Sequence, residues 1–148
     1  MSTPISFEHQ GVPDAFRRRT ALRHWLTGVA KREGRTIAQL TYVLLTDKAL
    51  LAYNRQYLQH DEYTDIITFD TRPEPLSSRA QSREVHGDIL ISYDRVKENA
   101  ATYGVSAQQE LHRVMVHGLL HLCGHGDKTE KQRAAMRGLE DKYLRLLR

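Results

Sequence analysis

The segment from Ala107 to Cys123 constrains this chain more than any other. Leu111, Val114, Met115, Val116, Leu119, Leu120 and Leu122 spread apolar side chains around its whole circumference. A surface helix buries one stripe, whereas a helix apolar on nearly every side has to lie at the centre of the protein. Ser106, followed by Gln109, forms the capping-box pattern that opens such a helix. The rest of the chain must therefore supply the layers that cover it.

The same helix carries polar groups that need an explanation. His117 and His121 are four positions apart, so both imidazoles leave one face a turn apart. Buried imidazoles require partners, and one zinc ion satisfies both through ring nitrogens at about 2.0–2.1 Å. A lone histidine on an apolar face is usually a satisfied core residue. Here Gly124 lets the chain turn back, so a third ligand can arrive from the segment 125–127, which holds His125 and Asp127. His86 and His112 are not expected to join: His112 is five residues before His117, about 500° of helical rotation away.

The covering layers can be read from periodicity. Ile5 and Phe7 alternate with polar residues as in a short strand. Pro13 and Asp14 are placed to open a helix reaching about Arg32, with Leu22, Trp25, Leu26 and Val29 at helical spacing. Leu40 to Leu45 reads as a strand, and Thr46 or Asp47 caps a helix over 47–59. Residues 65–70 and 86–92 read as strands, and 71–84 as a loop. Ser92 caps a helix over 93–103 that stops at Gly104. Thr129 with Gln132 opens a last helix, in which Met136, Leu139, Tyr143 and Leu147 form the inward stripe. The expectation is an α+β fold: a small mixed sheet of about four strands packed with about five helices, one of them the central metal-bearing helix. With 148 residues, this is expected to be a single domain spanning 1–148.

Composition excludes some functions. No apolar run approaches the ~20 residues of a membrane-spanning helix, and no secretory leader is visible. The lone Cys123 rules out an internal disulfide and fits a reducing cytoplasm. The formal charge of +4 is compatible with an anionic partner such as RNA. The densest basic run, Arg17 to Arg19, reads first as a solvated helix face. The spacing His-x-x-x-His-x-x-Gly-x-x-Asp is similar to the zinc motif of metzincin peptidases. Those enzymes carry a glutamate directly after the first histidine, where this chain has Gly118. Without a carboxylate to deprotonate the water, a zinc peptidase is disfavoured. Gly118 also has a plain reading, that another element packs close to the helix there.

The run from His117 to Gly124 resembles the signature of the YbeY-type endoribonucleases, bacterial rRNA maturation factors. Asn54, the stretch Thr64-Asp65-Ile66-Ile67-Thr68-Phe69 and the stretch Gly87-Asp88-Ile89-Leu90-Ile91 resemble further motifs of that family, in the family's order, over roughly residues 40–148. The resemblance implies a zinc-dependent, single-strand-specific endoribonuclease with one Zn2+ per chain. It also implies maturation of the 16S rRNA 3′ end and quality control of the small ribosomal subunit. The family signature ends in a histidine ten positions after the first. That position here is Asp127, whose carboxylate can bind zinc at about 2.0–2.2 Å. The resemblance therefore implies His117, His121 and Asp127 as metal ligands, with His125 the competitor for the third place. The family's arginine four positions after Asn54 is replaced by Leu58, leaving Arg55 nearby but out of register as a candidate for acting on RNA. Arg113 and Lys128 are further candidates for holding phosphates, and Asp65 and Asp88 for orienting a ligand histidine, though turn capping is the plainer role for both. The rival reading is a non-catalytic ribosome-assembly factor whose metal serves folding.

Overall fold

Four strands form one mixed sheet in the computed structural model, which describes residues 4–60, 62–73 and 83–147. β1 (Ile5–His9), β2 (Thr36–Leu45), β3 (Ile66–Asp70) and β4 (Glu84–Ser92) lie in the order β1-β2-β4-β3. β1 and β4 flank β2 in parallel, and β3 runs antiparallel to β4. Parallel neighbours need a long crossover, which α1 (Arg19–Arg32) supplies between β1 and β2. α2 (Asp47–Leu58) and β3 fill the path from β2 to β4. α3 (Tyr93–Tyr103), α4 (Ala107–Leu122) and α5 (Glu130–Leu144) follow. The described residues thus form the expected α+β fold, with five helices on a four-stranded sheet. None of these helices is long and apolar enough to cross a membrane.

α4 is the central helix. Leu111, Met115, Val116, Leu119 and Leu120 are wholly buried among Ile37, Leu40, Tyr42 and Leu44 of β2 and Val85, Ile89 and Ile91 of β4. A register irregularity between Ile37 and Gln39 explains why the inward residues of β2 step by three once before resuming the period of two. The Tyr42 hydroxyl, fully buried, donates to the Met115 carbonyl at 2.9 Å. On the opposite sheet face, α2 packs Leu50 against Leu45, Ile67 and Leu90.

Two glycines let α4 lie close to the sheet. A Cβ on Gly118 would stand 2.9 Å and 3.0 Å from Ile89 methyl groups and 3.1 Å from one of Ile66. Reciprocally, a Cβ on Gly87 of β4 would stand 2.5 Å from a methyl of Leu122. Each surface gives up a side chain where the other inserts one. The plain reading of Gly118 is therefore correct, and a glutamate at this position has no room.

Three expectations need correction. The first helix begins at Arg19, not near Asp14. Residues 13–17 instead tuck Phe16 against Phe7 at 5.1 Å and Tyr42 at 6.4 Å, and the Asp14 carboxylate accepts from the Phe16 N–H. Arg18 then takes a left-handed conformation (φ 56°), which stops any helix running through it. Arg17 and Arg18 are exposed ahead of the helix, and Arg19 pairs with Asp14 at 2.6 Å, so the basic run is not a helix face. β2 and β4 start earlier than expected because Thr36 pairs with Glu84 and Ile37 with Val85. Of the expected loop 71–84, residues 74–82 lie outside the described residues.

The candidate metal centre

The end of α4 builds the site. α4 stops at Leu122, and Gly124 takes φ +103°, a conformation open to glycine. Its N–H donates to the His121 carbonyl at 3.0 Å, and the His125 N–H reaches back to the Leu120 carbonyl at 3.0 Å. This paired closure is the Schellman motif. It turns the chain back along the helix and delivers Asp127 beside the two histidines.

His117 Nε2 lies 3.0 Å from His121 Nε2 and 3.4 Å from Asp127 Oδ2, and His121 Nε2 lies 3.2 Å from the same oxygen. All three side chains are partly exposed. Two ring nitrogens and a carboxylate oxygen thus converge, and the group could hold a metal ion. Ligands at about 2.0–2.1 Å from a tetrahedral zinc ion stand roughly 3.3–3.4 Å apart, so the donor triangle has the size such an ion requires.

His117 is fixed by a partner the sequence reading did not single out. Its Nδ1 donates to Glu140 Oε2 at 2.6 Å. A carboxylate only accepts, so Nδ1 holds the proton and Nε2 presents its lone pair to the group. Glu140 is buried on α5 and accepts from Arg113 through its other oxygen at 2.9 Å. Burial pulls the His117 pKa down, but Glu140, Asp127 and Asp65 together outweigh it, and the net shift is upward. Glu140 was findable: it follows Met136 by four and precedes Tyr143 by three, which places it on the inward stripe.

His125 is held away from this group. Its Nε2 lies 2.6 Å from Glu33 Oε1, and the Tyr143 hydroxyl donates to the other Glu33 oxygen. Arg35 donates to the Cys123 carbonyl at 3.2 Å, so the bend after α4 is tied to the end of α1 at two points. The Trp25 indole N–H donates to the Tyr143 carbonyl at 2.7 Å and joins α1 to α5.

The remaining candidates scatter. His112 stacks edge-on to Trp25 at 6.1 Å between ring centres, and His86 sits on β4 with its Nε2 buried, 3.8 Å from a Glu84 oxygen and without a hydrogen bond among the described residues. Asp65 lines the clefts around the group. Asp88 lies in the middle of β4, within 3.4 Å of Gln39, and lines a hollow on the sheet's other face. Arg113 lines the larger cleft beside the group and donates to Glu140 and Asp141 at 2.9 and 2.7 Å. Arg55 sits on α2, whose apolar residues cover that other face, and lines neither cleft at the group. Lys128 follows Asp127 directly and is exposed.

Two clefts meet at the group. One of about 650 Å³ runs between α3 and α5, and one of about 610 Å³ runs along β3 past Thr64, Thr68 and Asp70. His117, Asp127 and Asp65 line both.

Comparison with known proteins agrees with this architecture. The family model described as Endoribonuclease YbeY matches residues 5–148. The Endoribonuclease YbeY of Cytophaga hutchinsonii is 47% identical over 142 residues, covering 96% of this chain and 94% of the relative. That of Porphyromonas gingivalis is 40% identical over 144 residues, covering 97% and 90%. A protein of Thermotoga maritima, solved in solution, is similar with a TM-score of 0.67 at 25% identity, covering 97% of this chain and 88% of that one.

Proposed function

The chain belongs to the Endoribonuclease YbeY family, and on that premise we propose that it is a single-domain, zinc-dependent endoribonuclease that cuts single-stranded RNA. Its substrate is the RNA of the small ribosomal subunit, where it matures the 3′ end of 16S rRNA and serves ribosome quality control in the cytoplasm. One observation carries the chemistry: His117, His121 and Asp127 aim three donor atoms at one point, 3.0–3.4 Å apart. Two imidazoles and a carboxylate suit zinc, and three protein ligands are the number used in catalytic zinc sites. Two clefts open onto the group, which favours catalysis over a purely structural ion.

When bound there, the cation supplies Lewis acidity, lowering the pKa of a water or polarising a phosphoryl oxygen. The protein's own groups prepare the site for it. Glu140 keeps the His117 proton on Nδ1 and so keeps Nε2 free to coordinate. Asp127 brings a negative charge that offsets the cation. Asp65, on the strand side, lines both clefts and adds negative charge near His117.

The test uses purified protein on labelled single-stranded and duplex RNA, with chelator and with zinc restored. Wild type should cut the single strand only when metal is present, and His117→Ala should not cut at all. Asp127→Ala should lose metal, and His125→Asn should retain it better. Equal cleavage by wild type and His117→Ala would remove the enzyme reading.

A further inference from the structure

α3 and α5 both pack on α4, and the larger cleft runs between them away from the donor group. Its two walls differ in chemistry. α3 contributes Asn99 and Tyr103, four residues apart and so one above the other on the helix. Tyr103 is 67% exposed, and among the described residues its ring stacks on no other. α5 contributes Arg133 and Arg137, again four apart. Arg133 donates to the Lys128 carbonyl at 2.8 Å. Arg137 is exposed and makes no ion pair or hydrogen bond among the described residues.

The charges along this cleft are unevenly paired: Arg113 is bound to Glu140 at 2.9 Å, whereas Arg133 and Arg137 on the α5 wall make no ion pair among the described residues. Asp127 and Glu140 touch His117, so two of its carboxylates are gathered at the inner end, around the cation-binding atoms. Arg137 is exposed on the α5 wall, three residues before Glu140 on the same helix. Among the described residues, the cleft along β3 is lined by Asp65, Asp70 and Asp127 and by no lysine or arginine.

We propose that the α3–α5 cleft is a nucleotide subsite of the RNA strand, in which Tyr103 stacks on an unpaired base, Asn99 bonds its edge, and Arg137 holds the adjoining phosphate. The proposal rests on the ribonuclease reading above and adds the residues that grip the strand. Aromatic stacking is available to any base but demands that the base be free of a duplex. The guanidinium fork matches phosphate geometry. Selection of single strands thus follows from the α3 wall, and affinity for the backbone from the α5 wall.

Full-length protein, held in chelator so that nothing is cut, is titrated by filter binding with a single-stranded RNA of about a dozen nucleotides at several salt concentrations. Tyr103→Ala should weaken binding about fivefold or more with an unchanged salt slope, and Tyr103→Phe should bind as wild type. Arg137→Gln should weaken binding and flatten the slope of log K against log salt by roughly 0.7–1. Duplex RNA of the same sequence should bind Tyr103→Ala as it binds wild type. Both positions are exposed, and melting curves matching wild type would show the fold intact. If Tyr103→Ala and Arg137→Gln bind single strands as wild type does, the subsite is refuted, whatever the cleavage assay shows. Equal loss on single and double strands in Tyr103→Ala would refute the stacking role. Failure of the wild type to cleave RNA with metal restored would refute the ribonuclease reading itself, a separate readout.

Discussion

Replacing Gly118 with alanine sets two effects of opposite sign against each other. Alanine is favoured over glycine inside a helix by about 1 kcal/mol. Against this, the new Cβ would lie 2.9 Å from Ile89 Cδ1, 3.0 Å from Ile89 Cγ2 and 3.1 Å from Ile66 Cδ1. Carbon contacts are most favourable at about 3.5–4.0 Å, so each neighbour must give by roughly 0.5 Å. The two Cδ1 atoms can swing about χ2. Ile89 Cγ2 moves only with χ1, which β-branching holds in a narrow well, or with the backbone of β4. Overpacking of this kind costs about 1–3 kcal/mol. The expected balance is a net loss of about 1 kcal/mol, or a fall in Tm of about 2–4 °C for a chain of this size. Urea unfolding of metal-stripped protein, followed by circular dichroism, measures it without the stabilisation that bound metal would add. Gly118→Glu should be far worse, because it adds a carboxylate with no partner between two isoleucines. A Gly118→Ala variant about 1 kcal/mol more stable than wild type would show that helix propensity decides, and the close-packing argument would fail.

Other outcomes follow from the groups around the site. Glu140→Gln should lower zinc affinity by roughly 10- to 100-fold in a chelator competition, since the partner of a ligand imidazole tunes its basicity; unchanged affinity would show that Glu140 only packs. Burial foremost, then the charge of Glu33, pushes the Cys123 thiol up to about 11, so iodoacetamide should label it only after unfolding. Rapid labelling of folded protein would contradict this. Burial raises the Glu33 pKa, but the Tyr143 and His125 hydrogen bonds more than reverse it, and the folded value lies below the unfolded 4.5. The stability Glu33 contributes is therefore complete above that value and lost as pH falls through the folded one. The gap in stability between wild type and Glu33→Gln should narrow from about pH 6 to pH 3, and a gap independent of pH would refute the linkage.

The central helix was legible because its apolar residues surround it, leaving no alternative to burial. Its start was equally legible: the Ser106–Gln109 capping box forms on both sides, as does that of Thr129 with Gln132. These signals are local, made within one turn of chain. The start of α1 was not legible, because Phe16 is drawn into the core by Phe7 and Tyr42, and nothing between Pro13 and Arg19 announces those distant rings. The site divides in the same way. His117, His121, Gly124 and Asp127 lie within eleven residues, so spacing brought the pair and the segment 125–127 together, and the family resemblance chose Asp127 over His125. Glu140 and Glu33 come from α5 and from the end of α1, and their partners are fixed only by tertiary packing. Asp88 looked equivalent to Asp65 in sequence, but its position on β4 turns it to the face of the sheet away from α4.

Trp25 is the chain's single tryptophan, bound through its indole N–H to the carbonyl of Tyr143. Its fluorescence therefore comes from one place, the seam where the first and last helices meet. Tyr143 is one turn beyond Glu140 on the same helix, so a displacement of α5 that frees His117 also disturbs the indole's surroundings. The molecule carries an intrinsic optical probe for the seating of its last helix, and no label has to be introduced to follow it.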